Sequence, residues 1–124
     1  MIASPDAAQN RSEPPTVLIV DDEPAIVDLL SQLLEDEGYR VVSAGDGLAA
    51  YEKVGELRPS LVIADVMMPR MDGFTLVDRL ADGEHPVPVI LMSAAVEPRR
   101  QGVPFIAKPF DLGELLDLVN TCIG

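Results

Sequence analysis

At 124 residues, 48% of them apolar, the chain has the size and hydrophobic content of one domain with a single core. Acids outnumber bases 21 to 9, for a formal charge of −12; a surface of that sign repels phosphate backbones, which excludes direct nucleic-acid and anionic-membrane binding from the expected roles. The lone Cys122 excludes an internal disulfide and suits a reducing compartment, no run approaches the roughly 20 apolar residues of a membrane span, and MIASPDAAQNRSEPP lacks the basic start and apolar stretch of a secretion signal, so the expected location is the cytoplasm.

Residues 1–15 are polar, with prolines at 5, 14 and 15 and no periodicity, and read as a flexible N-terminal arm preceding a folded domain over 16–124. TVLIV (16–20) is a continuous apolar run, the pattern of a strand buried on both faces. Pro24 stands at a natural first helical position; Ile26, Leu29, Leu30, Leu33 and Leu34 follow at helical spacing, and Gly38 closes the segment. RVVSA (40–44) reads as the second strand, and Asp46 as the cap of a helix with Ala50, Val54 and Leu57 on one face.

LVIA (61–64) is the third strand. Asp72 caps a third helix with Phe74, Val77 and Leu80 inward, VPVILM (87–92) is the fourth strand, and FIA (105–107) a short fifth. Asp111 and Glu114 outline a capping box for a last helix with Leu112, Leu115, Leu116 and Val119 inward. Strands alternating with helices imply right-handed crossovers and an α/β fold with a doubly wound five-stranded parallel sheet; the flavodoxin-like order 2-1-3-4-5 is expected from that fold class and from the placement of the candidate site residues, not from periodicity alone.

The residues that end the strands are the candidates for chemistry. The first strand runs into Asp21, Asp22 and Glu23, the third into Asp65, the fourth into Ser93 and the fifth into Lys108. In open parallel sheets ligands bind outside the carboxyl ends of the strands, where the strand order reverses. Each residue alone has an ordinary structural reading, as a solvated strand end, a helix N-terminal acid or a turn; their joint placement is what points to a site. Clustered carboxylates repel by about 4 kcal/mol per pair at 4 Å and an effective dielectric near 20, and a hard divalent cation relieves this. Mg2+ prefers one or two carboxylates with waters and a phosphate oxygen, leaving Lys108 and Ser93 to hold further phosphate oxygens.

VLIVDDEP, DVMMPRMDGF, the hydroxyl of MSA and FIAKPF resemble the signature blocks of bacterial two-component response-regulator receiver domains over residues 16–123. The resemblance implies a phosphoacceptor signalling switch: Asp65 takes a phosphoryl group from a phosphohistidine on a sensor histidine kinase or phosphotransfer protein. It further implies that Asp22 and Asp65 bind Mg2+ directly, with Asp21 helping through a water and the backbone carbonyl of Met67 as another ligand. Ser93 and Lys108 would each bond a phosphoryl oxygen, Phe105 would be the switch aromatic coupled to Ser93, and the Lys108–Pro109 bond would be cis. The expected role is not that of an enzyme with a separate substrate but of an acceptor that assists its own modification, acting on an unknown downstream protein and carrying no output domain of its own.

One stretch departs from the family. Ser93 and Lys108 are 15 positions apart, shorter than usual, and the 11 residues AAVEPRRQGVP (94–104) contain two prolines and a glycine. A full crossover with its helix needs at least about 10–12 residues, so the fourth helix is expected to be short or missing and the family's usual fourth-helix dimer face to be weakened. Met67 and Ala95, each two positions past a site residue, hold no in-line water, which predicts slow self-dephosphorylation. His85 reads as a loop residue, Arg99 and Arg100 as solvated, and Met67, Met68 and Met71 as filler around the site.

Two other functions compete. A pseudo-receiver would keep the fold as a phosphorylation-independent protein-binding module, but the acid set, Ser93 and Lys108 are all present. An Mg2+-dependent phosphatase with an aspartyl nucleophile after the first strand would have Glu23 two positions past Asp21, but so short a chain has no cap domain.

Overall fold

The computed structural model describes residues 13–83, 86–94 and 102–123. Five strands, β1 (Thr16–Val20), β2 (Arg40–Ala44), β3 (Leu61–Asp65), β4 (Val89–Ser93) and β5 (Phe105–Ala107), form one parallel sheet in the order β2-β1-β3-β4-β5. Among the described residues there are four helices: α1 (Pro24–Asp36), α2 (Gly47–Leu57), α3 (Gly73–Ala81) and α4 (Leu112–Ile123). This is the doubly wound parallel sheet that the alternation of apolar runs and helical periods predicts. The expected short or missing fourth helix, the loop reading of His85, the solvated Arg99 and Arg100 and the part given to Ala95 fall on residues outside the described set. So does most of the N-terminal arm, although the Pro15 carbonyl already accepts from the Arg40 amide at 2.9 Å.

The sheet separates two cores. Leu18, Val20, Val62, Ala64, Val89 and Leu91 pack on the side of α2 and α3, with Leu76 and Leu80. Val17, Ile19, Leu61, Ile63, Ile90 and Met92 pack on the side of α1 and α4, with Leu30, Leu34, Leu115 and Val119. Successive strand residues point to opposite faces, so unbroken apolar runs are what a sheet covered on both sides requires.

Local chemistry sets the helix boundaries. Asp46 and Asp72 cap α2 and α3 by accepting the amides of Ala49 and Thr75, both at 2.8 Å. Asp111 accepts from Gly113 and Glu114 ahead of α4. At the end of α1, Gly38 at φ +94 lets Tyr39 donate back to the Leu34 carbonyl and Gly38 to that of Glu35, a Schellman closure.

Some expected positions differ. Leu29, Leu57 and Leu112 are exposed rather than inward, while Leu76, absent from the predicted face of α3, is fully buried. The fourth strand starts at Val89, past the two prolines at 86 and 88, and both β3 and β4 extend one residue further to include Asp65 and Ser93. Among the described residues no helix is long and apolar enough to cross a membrane.

Candidate functional site

Just past and at the carboxyl ends of the central strands the buried residues change character. Among the described residues the buried polar ones are Asp21, Asp65 and Ser93, at 2%, 8% and 4% exposure. β1 lies between β2 and β3, so Asp21 and Asp65 face each other where the winding of the sheet reverses.

The two carboxylates are held in the same way. Asp21 Oδ1 accepts the amide of Glu23 at 2.9 Å, and Asp65 Oδ1 accepts that of Met67 at 3.1 Å, each closing the turn two residues onward. Their second oxygens share one cation: Lys108 Nζ donates to Asp21 Oδ2 at 3.0 Å and to Asp65 Oδ2 at 2.9 Å. Glu23 adds a looser contact to Lys108 at 3.8 Å through an exposed side chain.

Lys108 is delivered by β5. Its amide donates to the Ser93 carbonyl at 2.9 Å, which fixes the backbone where Nζ turns toward the acids. The Lys108–Pro109 peptide bond is cis. Burial opposes the charge on Lys108, but hydrogen bonds to Asp65 and Asp21 and the charges of both outweigh it, and its pKa is raised above the ordinary lysine value. It is an ammonium throughout the physiological range.

Ligand oxygens of Asp21, Asp22 and Asp65 lie within 4.8 Å of one another. Asp22 is exposed, so the cluster opens to solvent on one side. Three carboxylates face one ammonium, and the excess negative charge, in an all-oxygen donor set, has the chemistry of a site for a hard cation. Asp21, Asp22, Asp65 and Lys108 therefore come together as the strand-end reading anticipates, and Ser93 sits at the neighbouring strand end. Phe105 is partly buried on the α2–α3 side of the sheet, paired in register with Leu91, two residues before Ser93.

Two features went unread in the sequence. The Met67 amide, where the sequence pointed only to its carbonyl, donates to Asp65 Oδ1. Arg70 reaches Asp46, 24 positions away, through Nε at 3.0 Å and Nη2 at 2.7 Å. The first follows from the tight turn after Asp65; nothing local marks the second.

The chain matches the response regulator receiver domain family over residues 17–120. It is 37% identical over 118 residues to the "DNA-binding dual master transcriptional regulator RpaA" of Synechocystis, covering 88% of this chain and 49% of that one. It is 36% identical over 111 residues to the "Sporulation initiation phosphotransferase F" of Bacillus subtilis, covering 84% of this chain and 90% of that one. It spans about half or less of the length of several other curated relatives. Among solved structures, the signal receiver domain of a signal transduction histidine kinase from Syntrophus aciditrophicus superposes with a TM-score of 0.81 at 32% identity, covering 88% of this chain and 89% of that one. Chemotaxis protein CheY4 of Vibrio cholerae gives 0.77 at 30% identity, over 88% and 98%.

Proposed function

Because the chain belongs to the response regulator receiver domain family, the phosphorylation-linked signalling domains of two-component systems, we propose that Asp65 is its phosphoacceptor and takes a phosphoryl group from a phosphohistidine on a sensor histidine kinase or phosphotransfer protein. The observation that carries this reading is the pinning of Asp65: Oδ1 is held by the Met67 amide and Oδ2 by Lys108 Nζ, with a carboxylate oxygen each from Asp21, Asp22 and Asp65 lying within 4.8 Å of one another. Both oxygens of the nucleophile are thereby oriented before any donor arrives. Phosphoryl transfer asks little else of a protein than positioning and charge neutralisation.

Receiver domains bind Mg2+ at such an acidic pocket, and the all-oxygen donor set fits it. The residues that would hold it are Asp21, Asp22, Asp65 and the Met67 carbonyl. When bound, Mg2+ supplies positive charge to the transferring oxygens and removes the repulsion among the acids. A carboxylate oxygen of Asp65 forms the new O–P bond as the P–N bond of the donor breaks, and the electron pair stays on the donor imidazole, which solvent reprotonates.

Lys108, now facing a doubly charged group in place of a carboxylate, pairs with one phosphoryl oxygen, and the Ser93 hydroxyl bonds another. As Ser93 moves toward the phosphoryl group, the vacated space admits the Phe105 ring. Two packings a few kcal/mol apart are sufficient for a switch.

Intact mass after incubation with acetyl phosphate tests this directly, with and without Mg2+, on the wild type and on Asp65→Asn. One Mg2+-dependent, alkali-labile phosphoryl addition on the wild type and none on the variant is the expected result. No addition to the wild type under any condition would overturn the reading in favour of a pseudo-receiver.

A further inference from the structure

The loop between β3 and α3 is fastened at a point the phosphoacceptor chemistry does not explain. Arg70 has φ +67, in the left-handed region that glycine or asparagine adopts at less cost. The Met71 amide donates to the Pro69 carbonyl at 2.7 Å, closing a γ-turn of the φ-positive kind, a sparsely populated conformation. The side chain of this arginine is engaged as well. Its guanidinium grips Asp46 Oδ2 with two donors, while Oδ1 of the same carboxylate caps α2 through Ala49.

The neighbouring backbone is equally close. A Cβ on Gly47 would stand 2.2 Å from the Met71 carbonyl oxygen, and one on Gly73 would stand 2.7 Å from that of Asp65. The loop is thus wedged between the start of α2 and the end of β3, with no space for a side chain at either glycine. The capping amide of Ala49, partly opposed by burial and reinforced by Arg70, holds the Asp46 carboxyl below the usual carboxylate range, so the pair is charged at neutral pH.

The Arg70 side chain is 59% exposed, and an exposed pair adds little to global stability. Its effect falls on the geometry of the loop instead. Met67, whose amide holds Asp65 Oδ1, lies three residues before Arg70, with Pro69 between them at fixed φ and little slack to absorb a shift.

We propose that Arg70, through its two hydrogen bonds to Asp46 Oδ2, is a positioning residue for phosphoryl acceptance: the pair pins the β3–α3 loop to the start of α2 and so aims the Met67 amide and carbonyl at the site. This rests on Asp65 being the acceptor.

Arg70→Gly removes the side chain and relieves the backbone, and Asp46→Asn keeps the cap acceptor while removing the charge, so neither endangers folding. On the full chain the readouts are Tm, amide hydrogen exchange at Met67 and Met71 without metal or phosphodonor, Mg2+ affinity from amide NMR shifts, and the rate of modification by acetyl phosphate. In either variant Tm stays within about 2 °C of wild type while exchange at Met67 and Met71 quickens about tenfold. Mg2+ affinity and modification rate each fall about threefold to tenfold, Arg70→Lys recovers less than half of the loss for want of a planar fork, and the double variant is no worse than either single one.

A wild type that is modified, with variants that match it in exchange and rate, overturns this inference and leaves the acceptor role standing. A rate that falls only in step with Tm overturns it as well, reducing the pair to a structural contact. A wild type that accepts no phosphoryl group overturns the acceptor role, and this inference with it.

Discussion

The interior of the central strands and their carboxyl ends differ by one residue and by the whole character of their energetics. Leu61, Val62, Ile63 and Ala64 are fully buried apolar residues on two cores, and the next residue, Asp65, is a carboxylate at 8% exposure. Val17 to Val20 precede Asp21 in the same way. In the interior the only polar groups are backbone ones, satisfied by the ladder. At the ends, buried charge persists because backbone amides two residues on and a single lysine satisfy it. Among the described residues no buried side-chain nitrogen or oxygen lacks a partner. Stability and chemistry are thus adjacent yet separable, and substitutions on the two sides of that boundary have different signatures.

The largest expected effect lies in the interior. Ile63→Ala removes a fully buried side chain packed on the α1–α4 side and is expected to cost about 4 kcal/mol in urea unfolding. Under conditions where the variant remains folded, its modification by acetyl phosphate should match wild type. A slower reaction in the folded variant would mean that the two regions are coupled.

Lys108→Met tests the other side. Removing the shared cation leaves Asp21 and Asp65 buried and unpaired, at an expected cost of about 3 kcal/mol without Mg2+. The variant should bind Mg2+ more tightly than wild type and regain stability as the ion is added, while its modification is slowed. With a pKa raised in the fold, the Lys108 contribution is fully present below the ordinary lysine value of about 10.4 and is lost as pH rises through the folded value. The alkaline loss of stability should therefore be shallower in Lys108→Met than in wild type. An equal slope would show that Lys108 is not the group titrating there.

How much of this was legible in the sequence follows from the range of the forces involved. β1, β2 and β5 could be bounded to the residue because continuous or β-branched runs ended in turn residues or charge. Caps were readable because Asp46 and Asp72 act on amides three positions away. The convergence of Asp21, Asp65 and Lys108 was readable through topology, since parallel winding places all strand ends on one edge. The Arg70–Asp46 pair was not, because it depends on how closely a loop approaches a helix start, and that closeness is written in the missing side chains of Gly47 and Gly73 rather than in a motif. The two caps differ for the same reason: among the described residues the Asp72 carboxylate holds only the Thr75 amide, three positions on.

Asp72→Ala is accordingly expected to cost about 1 kcal/mol, the usual worth of an N-cap. Because Gly73 sits against the Asp65 carbonyl, the start of α3 is held from a second side, and modification should slow by less than about twofold. A larger kinetic effect would place the cap of α3 within the site after all.

The smallest effect marks where periodicity overreached. Helical spacing put Leu29 and Leu30 together on the inner face of α1, but Leu29 is 45% exposed and Leu30 is fully buried. Adjacent residues on a helix point about 100° apart, so a stripe drawn from spacing alone is wider than the surface that the sheet covers. Glutamine forms helix about as well as leucine, so Leu29→Gln should change stability by no more than about 0.5 kcal/mol. Leu30→Gln, one residue on, should cost several times more, because it sets an unpartnered amide in the core and leaves a void around it. Equal costs in chemical denaturation would mean that α1 is rotated about its axis relative to the sheet, and its whole buried face would have to be redrawn.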